Sequence, residues 1–214
     1  MRDVDGAVPS TGVTLIVGPS GAGKSTLLRL CNRLEVPTAG CVRYRGDDIA
    51  DLDPLALRRR VGMVSQRPTP FPGSVLDNLR VGRPGLGPGD AVRVLERVQL
   101  DGSFAERPAT ELSGGEAQRV CLARTLVTAP EVVLMDEPAS SVDPVARRAT
   151  EELARGLASG GTPVLWVTHD LAQMRRLADH VIVVINGCIA HAAAIGELDA
   201  GAPAAARQFL DEAA

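Results

Sequence analysis

The run Gly18-Pro19-Ser20-Gly21-Ala22-Gly23-Lys24-Ser25-Thr26 leaves little freedom in what this chain can fold into. An apolar stretch, Val13 to Val17, precedes it and Leu27-Leu28-Arg29-Leu30 follows it, so the order is strand, glycine loop, helix. Glycines at 18, 21 and 23 permit positive φ, which turns backbone N–H groups inward until loop and helix start can cradle phosphate oxygens. Lys24 adds a full positive charge within reach of β and γ phosphates, and the Ser25 hydroxyl is placed to ligate a magnesium ion. A glycine-rich turn with a solvated lysine is the plainer reading. The flanking strand and helix favour a nucleoside triphosphate site.

The remaining chain alternates strands with helices. Val61–Ser65, Glu131–Met135, Pro163–Val167 and Val181–Ile185 are apolar nearly throughout, as strands buried on both faces are. Lys24–Leu34, the stretch from Leu112-Ser113-Gly114-Gly115-Glu116 to Thr128, Pro144–Ser159 and Leu171–Ala178 carry helical spacing. Together they predict an α/β fold, a mostly parallel sheet with helices on both sides. Gly40–Gly46 reads as a short alternating strand. Asp53-Pro54 opens a short helix ending in Arg58-Arg59-Arg60, read as a solvated face, and Asn186-Gly187 has hairpin-turn chemistry leading into Cys188–His191. Ala202–Ala213 closes the chain as a helix.

Residues 67–111 break this rhythm. Arg67-Pro68-Thr69-Pro70-Phe71-Pro72-Gly73 is a proline-stiffened exposed loop of the kind that carries contacts. Ser74 or Asp77 can cap a helix through Leu79, Gly82–Gly89 is a flexible link, and Asp90–Leu100 places Val92, Leu95 and Val98 on one helical side. The segment is a small helical insertion without buried strands of its own.

Composition excludes several classes. With one Trp, one Tyr and three Phe in 214 residues, the chain lacks the rings of a base-stacking platform, and a net charge of −3 argues against a surface that holds nucleic acid or anionic lipid unaided. Cys31, Cys41, Cys121 and Cys188 show no C-x-x-C spacing, so reduced thiols and a cytosolic setting are expected rather than disulfides. No apolar run approaches the roughly 18 residues of a membrane span. Docking onto a membrane protein remains open.

In an open parallel sheet ligands bind beyond the carboxyl ends of the strands, and Gly18, Gln66, Asp136 and His169 all fall there. Asp136 can hold magnesium, directly or through water. Glu137, one residue on, can orient and deprotonate an attacking water, which makes it the candidate general base. His169 can hydrogen-bond a γ-phosphate, and Gln66 can sense metal or water. Two glycines after Ser113 expose helix N–H groups, which again suits an anion.

These stretches, in this order, resemble the motifs of an ABC-type ATPase. Gly18 to Ser25 is similar to the Walker A motif, Gln66 to the Q-loop and Leu112-Ser113-Gly114-Gly115-Glu116 to the signature. Val132 to Glu137 resembles Walker B, Ser140-Ser141-Val142-Asp143 the D-loop, and His169 the H-loop. The resemblance implies a P-loop NTPase cassette over 1–214. Residues 1–66 and 112–214 would form a RecA-like core with a partial N-terminal antiparallel β region, and 67–111 a helical subdomain. It further implies ATP and Mg2+ as ligands, the ion held by Ser25, Gln66 and Asp136. Two cassettes would pack head to tail, as a homodimer or with a paired ATPase subunit, so that Ser113 and Gly115 of one meet the γ-phosphate held by Lys24 of the other.

The implied partner is an integral membrane permease docking on Arg67 to Asn78, which puts the protein on the cytoplasmic face of a membrane. The alternatives are soluble family members that act on nucleic acid or ribosomes, and a small P-loop kinase. The wording from Gln66 to Asn78 is similar to the ATP-binding subunits of bacterial phosphate importers, whereas the 45 positions from 67 to 111 are closer to compact cassettes of the metal-export type. Members of the family stack adenine on an aromatic residue before the Walker A motif. The 17 residues before Gly18 contain none, so either such a ring lies upstream or the nucleotide is held without it.

Overall fold

The computed structural model of the protein describes residues 1–138 and 143–211. In chain order it contains β1 (Val13–Val17), α1 (Lys24–Leu30), β2 (Arg43–Tyr44), β3 (Asp47–Asp48), α2 (Pro54–Arg60) and β4 (Val61–Val64). Helices α3 (Val75–Gly82), α4 (Pro88–Arg97) and α5 (Gly114–Leu126) follow. The chain ends with β5 (Val132–Asp136), α6 (Pro144–Ser159), β6 (Val164–Val167), α7 (Leu171–Leu177), β7 (His180–Ile185), β8 (Cys188–Ala194) and α8 (Ala204–Asp211).

The main sheet has six strands in the order β4-β5-β6-β1-β7-β8, and β2 pairs with β3 in a separate ribbon. Five strands run parallel; only β8 is antiparallel, joined to β7 by the Asn186-Gly187 turn. Side chains alternate strictly between two apolar layers. Val13, Leu15 and Val17 of β1, Val133 and Met135 of β5, Val164 and Trp166 of β6, and Val181 and Val183 of β7 enter one core with α3 to α8. Ile16, Leu134, Leu165, Val167, Ile182 and Val184 enter the other, beneath Leu28 of α1 and Leu57 of α2. Both faces are covered, which is why these strands are apolar nearly throughout and why the sheet can be parallel.

Three local expectations need correction. The first helix stops at Leu30, not Leu34, because Arg33 takes φ 58° and the buried Asn32 side chain accepts the Leu34 N–H at 3.3 Å. Gly40–Gly46 is not one strand: Arg45 and Gly46, at φ 55° and 93°, fold Arg43–Tyr44 back onto Asp47–Asp48 as a hairpin. The 82–89 link is tethered rather than free. Leu86 is 2% exposed in the core, and α4 begins at Pro88, with proline at its first turn. At α3, by contrast, both residues read as caps are used. Ser74 is the N-cap, Asp77 completes a capping box, and the Asp77 carboxyl is held below its usual range by the Ser74 N–H.

Candidate nucleotide site

Gly18, Gly21 and Gly23 adopt φ 149°, 75° and 102°. A Cβ at Gly18 would overlap the Val184 carbonyl of β7, so the loop can lie this close to the sheet only with glycine there. Lys24 is 7% exposed, and its ammonium donates to the Gly18 and Pro19 carbonyls at 2.8 and 2.9 Å. Burial pulls its pKa below the ordinary lysine value, against the opposing pull of the Glu137 and Asp136 charges. A solvated lysine would show none of this. Pro19, Ser20, Gly21 and Thr26 are exposed around the loop, while Ala22 is buried against the α1 side of the sheet.

Ser25 Oγ donates to Asp136 Oδ1 at 2.7 Å, which joins the start of α1 to the end of β5. Asp136 is 2% exposed, and Arg29 Nη2 stands 3.6 Å from its other oxygen. Sequence reasoning missed Arg29. The signal was its i, i+4 spacing from Ser25, which puts both on one side of α1. Among the described residues no group of three or more His, Cys, Asp or Glu gathers as a metal site. Paired hydroxyl and carboxylate oxygens beside a phosphate cradle nevertheless fit a hard cation that completes its shell with phosphate and water.

Glu137 follows at φ 45°, a left-handed conformation uncommon outside glycine, with its N–H on the Val167 carbonyl of β6 at 3.1 Å. This backbone bend aims its carboxylate at two other strand ends. Gln66 Nε2 donates to Glu137 Oε2 at 3.2 Å, and His169 Nδ1 lies 3.3 Å from the same oxygen. A small pocket of about 80 Å³ opens there, lined by Glu137, Thr168, His169 and Asp170 among others. The structure thus brings together Lys24, Ser25, Gln66, Asp136, Glu137 and His169 from four parallel strands.

The stretch Leu112–Glu116 lies apart from this cluster: no hydrogen bond or ion pair among the described residues joins it to residues 18–26. Ser113 is the N-cap of α5 in a capping box with Glu116, and Gly114 is exposed at the helix start. Ser140, Ser141 and Val142 lie outside the described residues. Asp143 caps α6, accepting the Val145 and Ala146 N–H groups at 2.9 and 3.1 Å, which hold its carboxyl below the usual range. Gln118 was also missed. Buried in α5, it donates to the Ser65 carbonyl at 3.1 Å and ties that helix to the segment carrying Gln66. A polar side chain on the otherwise apolar inner face of α5 was its only trace in the sequence.

The loop before α3 differs from expectation at its end. Asn78 does not line a surface; it is fully buried, and its amide holds the Phe71 N–H, Phe71 carbonyl and Ser74 carbonyl at 2.7, 2.9 and 3.0 Å. Arg124 donates to Thr69 and lies 4.5 Å over the Phe71 ring, which stays half exposed. Asn78→Ala is expected to lower stability by about 1–2 kcal/mol, since the part-buried Phe71 N–H and carbonyl lose their side-chain partner while the Ser74 carbonyl keeps the Asn78 N–H. The check is a fall in Tm accompanied by new proteolytic cleavage within 67–73. Cleavage unchanged from the parent would show that the loop holds itself.

The family model described as "ABC transporter" matches residues 1–140. Protein STAR1 of Oryza sativa subsp. japonica is 42% identical over 99% of this chain, which spans only 62% of that protein's length. The phosphate import ATP-binding protein PstB of Thermotoga maritima is 40% identical over 82% of this chain and 76% of its own. Among solved structures, the dimeric post-hydrolysis state of the ATP-binding cassette MJ0796 bound to ADP and Pi superposes with a TM-score of 0.79. The two are 29% identical over 90% of this chain and 89% of that one. Motif order, sheet topology and these matches agree, and the chain belongs to the ABC transporter family as one of its ATP-hydrolysing cassettes.

Proposed function

We propose that this chain is the ATP-driven subunit of a transporter, closing on ATP with a second cassette and passing the motion to a membrane permease. The observation that carries the reading is the Glu137 carboxylate, held 3.2 Å from Gln66 and 3.3 Å from His169 just beyond the residue that anchors Ser25. Glu137 is the general base toward water, and His169 steadies both the base and the terminal phosphate. The 18–26 loop and Lys24 hold the triphosphate tail. Ser25 and Asp136, with the Gln66 amide oxygen, would hold Mg2+, which neutralises charge on the β and γ phosphates. Ser113 and Gly115 are the groups offered to the ATP of the second copy, which agrees with their separation from residues 18–26 and with the dimeric state of the MJ0796 cassette.

The membrane role rests on partners, since no described helix is long and apolar enough to cross a bilayer. Phe71 and Val81, about half exposed or more on the helical insertion, offer an apolar landing surface. The PstB relative and the Gln66–Asn78 wording favour phosphate as cargo. Co-expression with any permease gene that neighbours this one tests the assignment. A stable complex whose ATPase rate responds to the permease supports it, and copurification with nucleic acid instead of a permease overturns it.

In this reading residues 1–214 offer the nucleotide base no stacking ring. All five aromatic rings are committed elsewhere. Trp166 is fully buried, and Phe209 packs on the core. Phe71 and Phe104 lie under Arg124 and Arg107, and Tyr44 bonds Glu131 at 2.7 Å beneath Arg60. Where residues 1–214 alone hold the base, ATP and GTP are expected to compete within about tenfold of each other, because none of these rings adds the roughly 1–3 kcal/mol of a stacked base. A preference for ATP beyond about 100-fold in a displacement assay would mean that another group reads adenine.

A further inference from the structure

The start of α5 already carries an anion. Ser113 N–H donates to Glu116 Oε2 at 2.7 Å, and the Glu116 N–H points to Ser113 Oγ at 3.4 Å. Arg107 Nη1 sits 3.1 Å from the second carboxylate oxygen, its Nη2 donates to the Glu111 carbonyl at 3.0 Å, and its guanidinium lies 5.0 Å from the Phe104 ring centre. The Ser113 N–H, with lesser help from Arg107, holds the Glu116 carboxyl below its usual range, so it is ionised at neutral pH. A helix N-terminus attracts one negative charge through its dipole and unpaired N–H groups, and here an internal carboxylate takes part of that field.

We propose that Glu116 and Arg107 form an opposed charge pair that sets the ATP concentration at which two copies close: Glu116 repels the incoming terminal phosphate and Arg107 offsets that repulsion. This rests on the reading that Ser113 and Gly115 meet the second copy's ATP. The carboxylate is within one helical turn of those groups, where an uncompensated charge is felt through a partly exposed, moderately screened medium. Arg107 is fixed by a carbonyl and a ring independently of Glu116, so its charge stays in place whatever residue 116 becomes.

The test is ATP-driven dimerisation of the Glu137→Gln protein, followed by sedimentation at increasing ATP. Adding Glu116→Gln keeps the cap, since the amide oxygen still accepts the Ser113 N–H, and is expected to lower the midpoint about fivefold. Adding Arg107→Met is expected to raise it about fivefold, and Arg107→Lys to leave it near the parent. Both shifts should shrink in about 1 M salt, where charges are screened within a few ångströms. An ordinary structural ion pair would weaken closure in both variants, so shifts of the same sign, or none, overturn the proposal while the parent still dimerises. A Glu137→Gln parent that stays monomeric at saturating ATP removes the two-copy reading and this one with it.

Discussion

Glu137→Gln is expected to cut ATP turnover by about two to four orders of magnitude, the usual contribution of a positioned general base, while leaving ATP affinity within a few-fold of the parent. The replacement has the same size, and its amide oxygen can still accept from Gln66 Nε2, which now lies 3.2 Å from the carboxylate. It cannot take a proton from water. The triphosphate grip is expected to stay in place, because Lys24 and Ser25 are positioned by Gly18, Pro19 and Asp136, contacts that do not involve Glu137. ATP should therefore accumulate unhydrolysed and hold two copies together, seen as a doubling of mass on ATP addition. A variant turning over at the parent rate would remove Glu137 as the base. His169→Ala in the same assay is expected to lower turnover as well, through its contact with the Glu137 carboxylate or with the phosphate, and turnover at the parent rate would remove His169 from the site.

Lys24→Met is expected to weaken ATP binding by at least about 100-fold, the loss of charge-assisted hydrogen bonds to two phosphates. Its effect on folding should be small, because the buried ammonium gives up hydration to sit on two loop carbonyls and burial already disfavours its charged form. The sign for pH follows. With the folded pKa below the unfolded one, protonated Lys24 costs stability throughout the neutral range, and that cost fades only as pH rises through the folded and then the unfolded pKa. Calorimetric titration measures the first effect and thermal unfolding the second. Retention of ATP affinity would show that the loop backbone alone carries the phosphates, while a large drop in Tm would make Lys24 a structural residue of the loop.

Much of the fold was legible because its constraint is one-dimensional. Strands buried on both faces must be apolar at successive positions, and the strands that include Val13, Val132, Val164 and Val181 announce themselves that way. The candidate site was legible for a related reason: its residues lie at or just past strand ends, that of Val61–Val64 included, so finding strand ends located Gly18, Gln66, Asp136 and His169 together. What escaped depends on contacts between segments far apart in the chain. Nothing near Asn78 says that its amide will hold Phe71, and nothing near Gln118 says that Ser65 awaits it across 53 positions. Arg33 and Arg45 defeated the local reading by taking positive φ, which the sequence signals clearly only when glycine or asparagine occupies the position.

The left-handed backbone at Glu137 limits what chance mutation can do there. Glycine, asparagine and aspartate suit that conformation, so an altered copy carrying one of them would fold and accumulate normally while lacking the reach to Gln66 and His169. If each closed assembly draws one pocket from either copy, such an allele would sequester functional subunits and act dominantly over the intact gene.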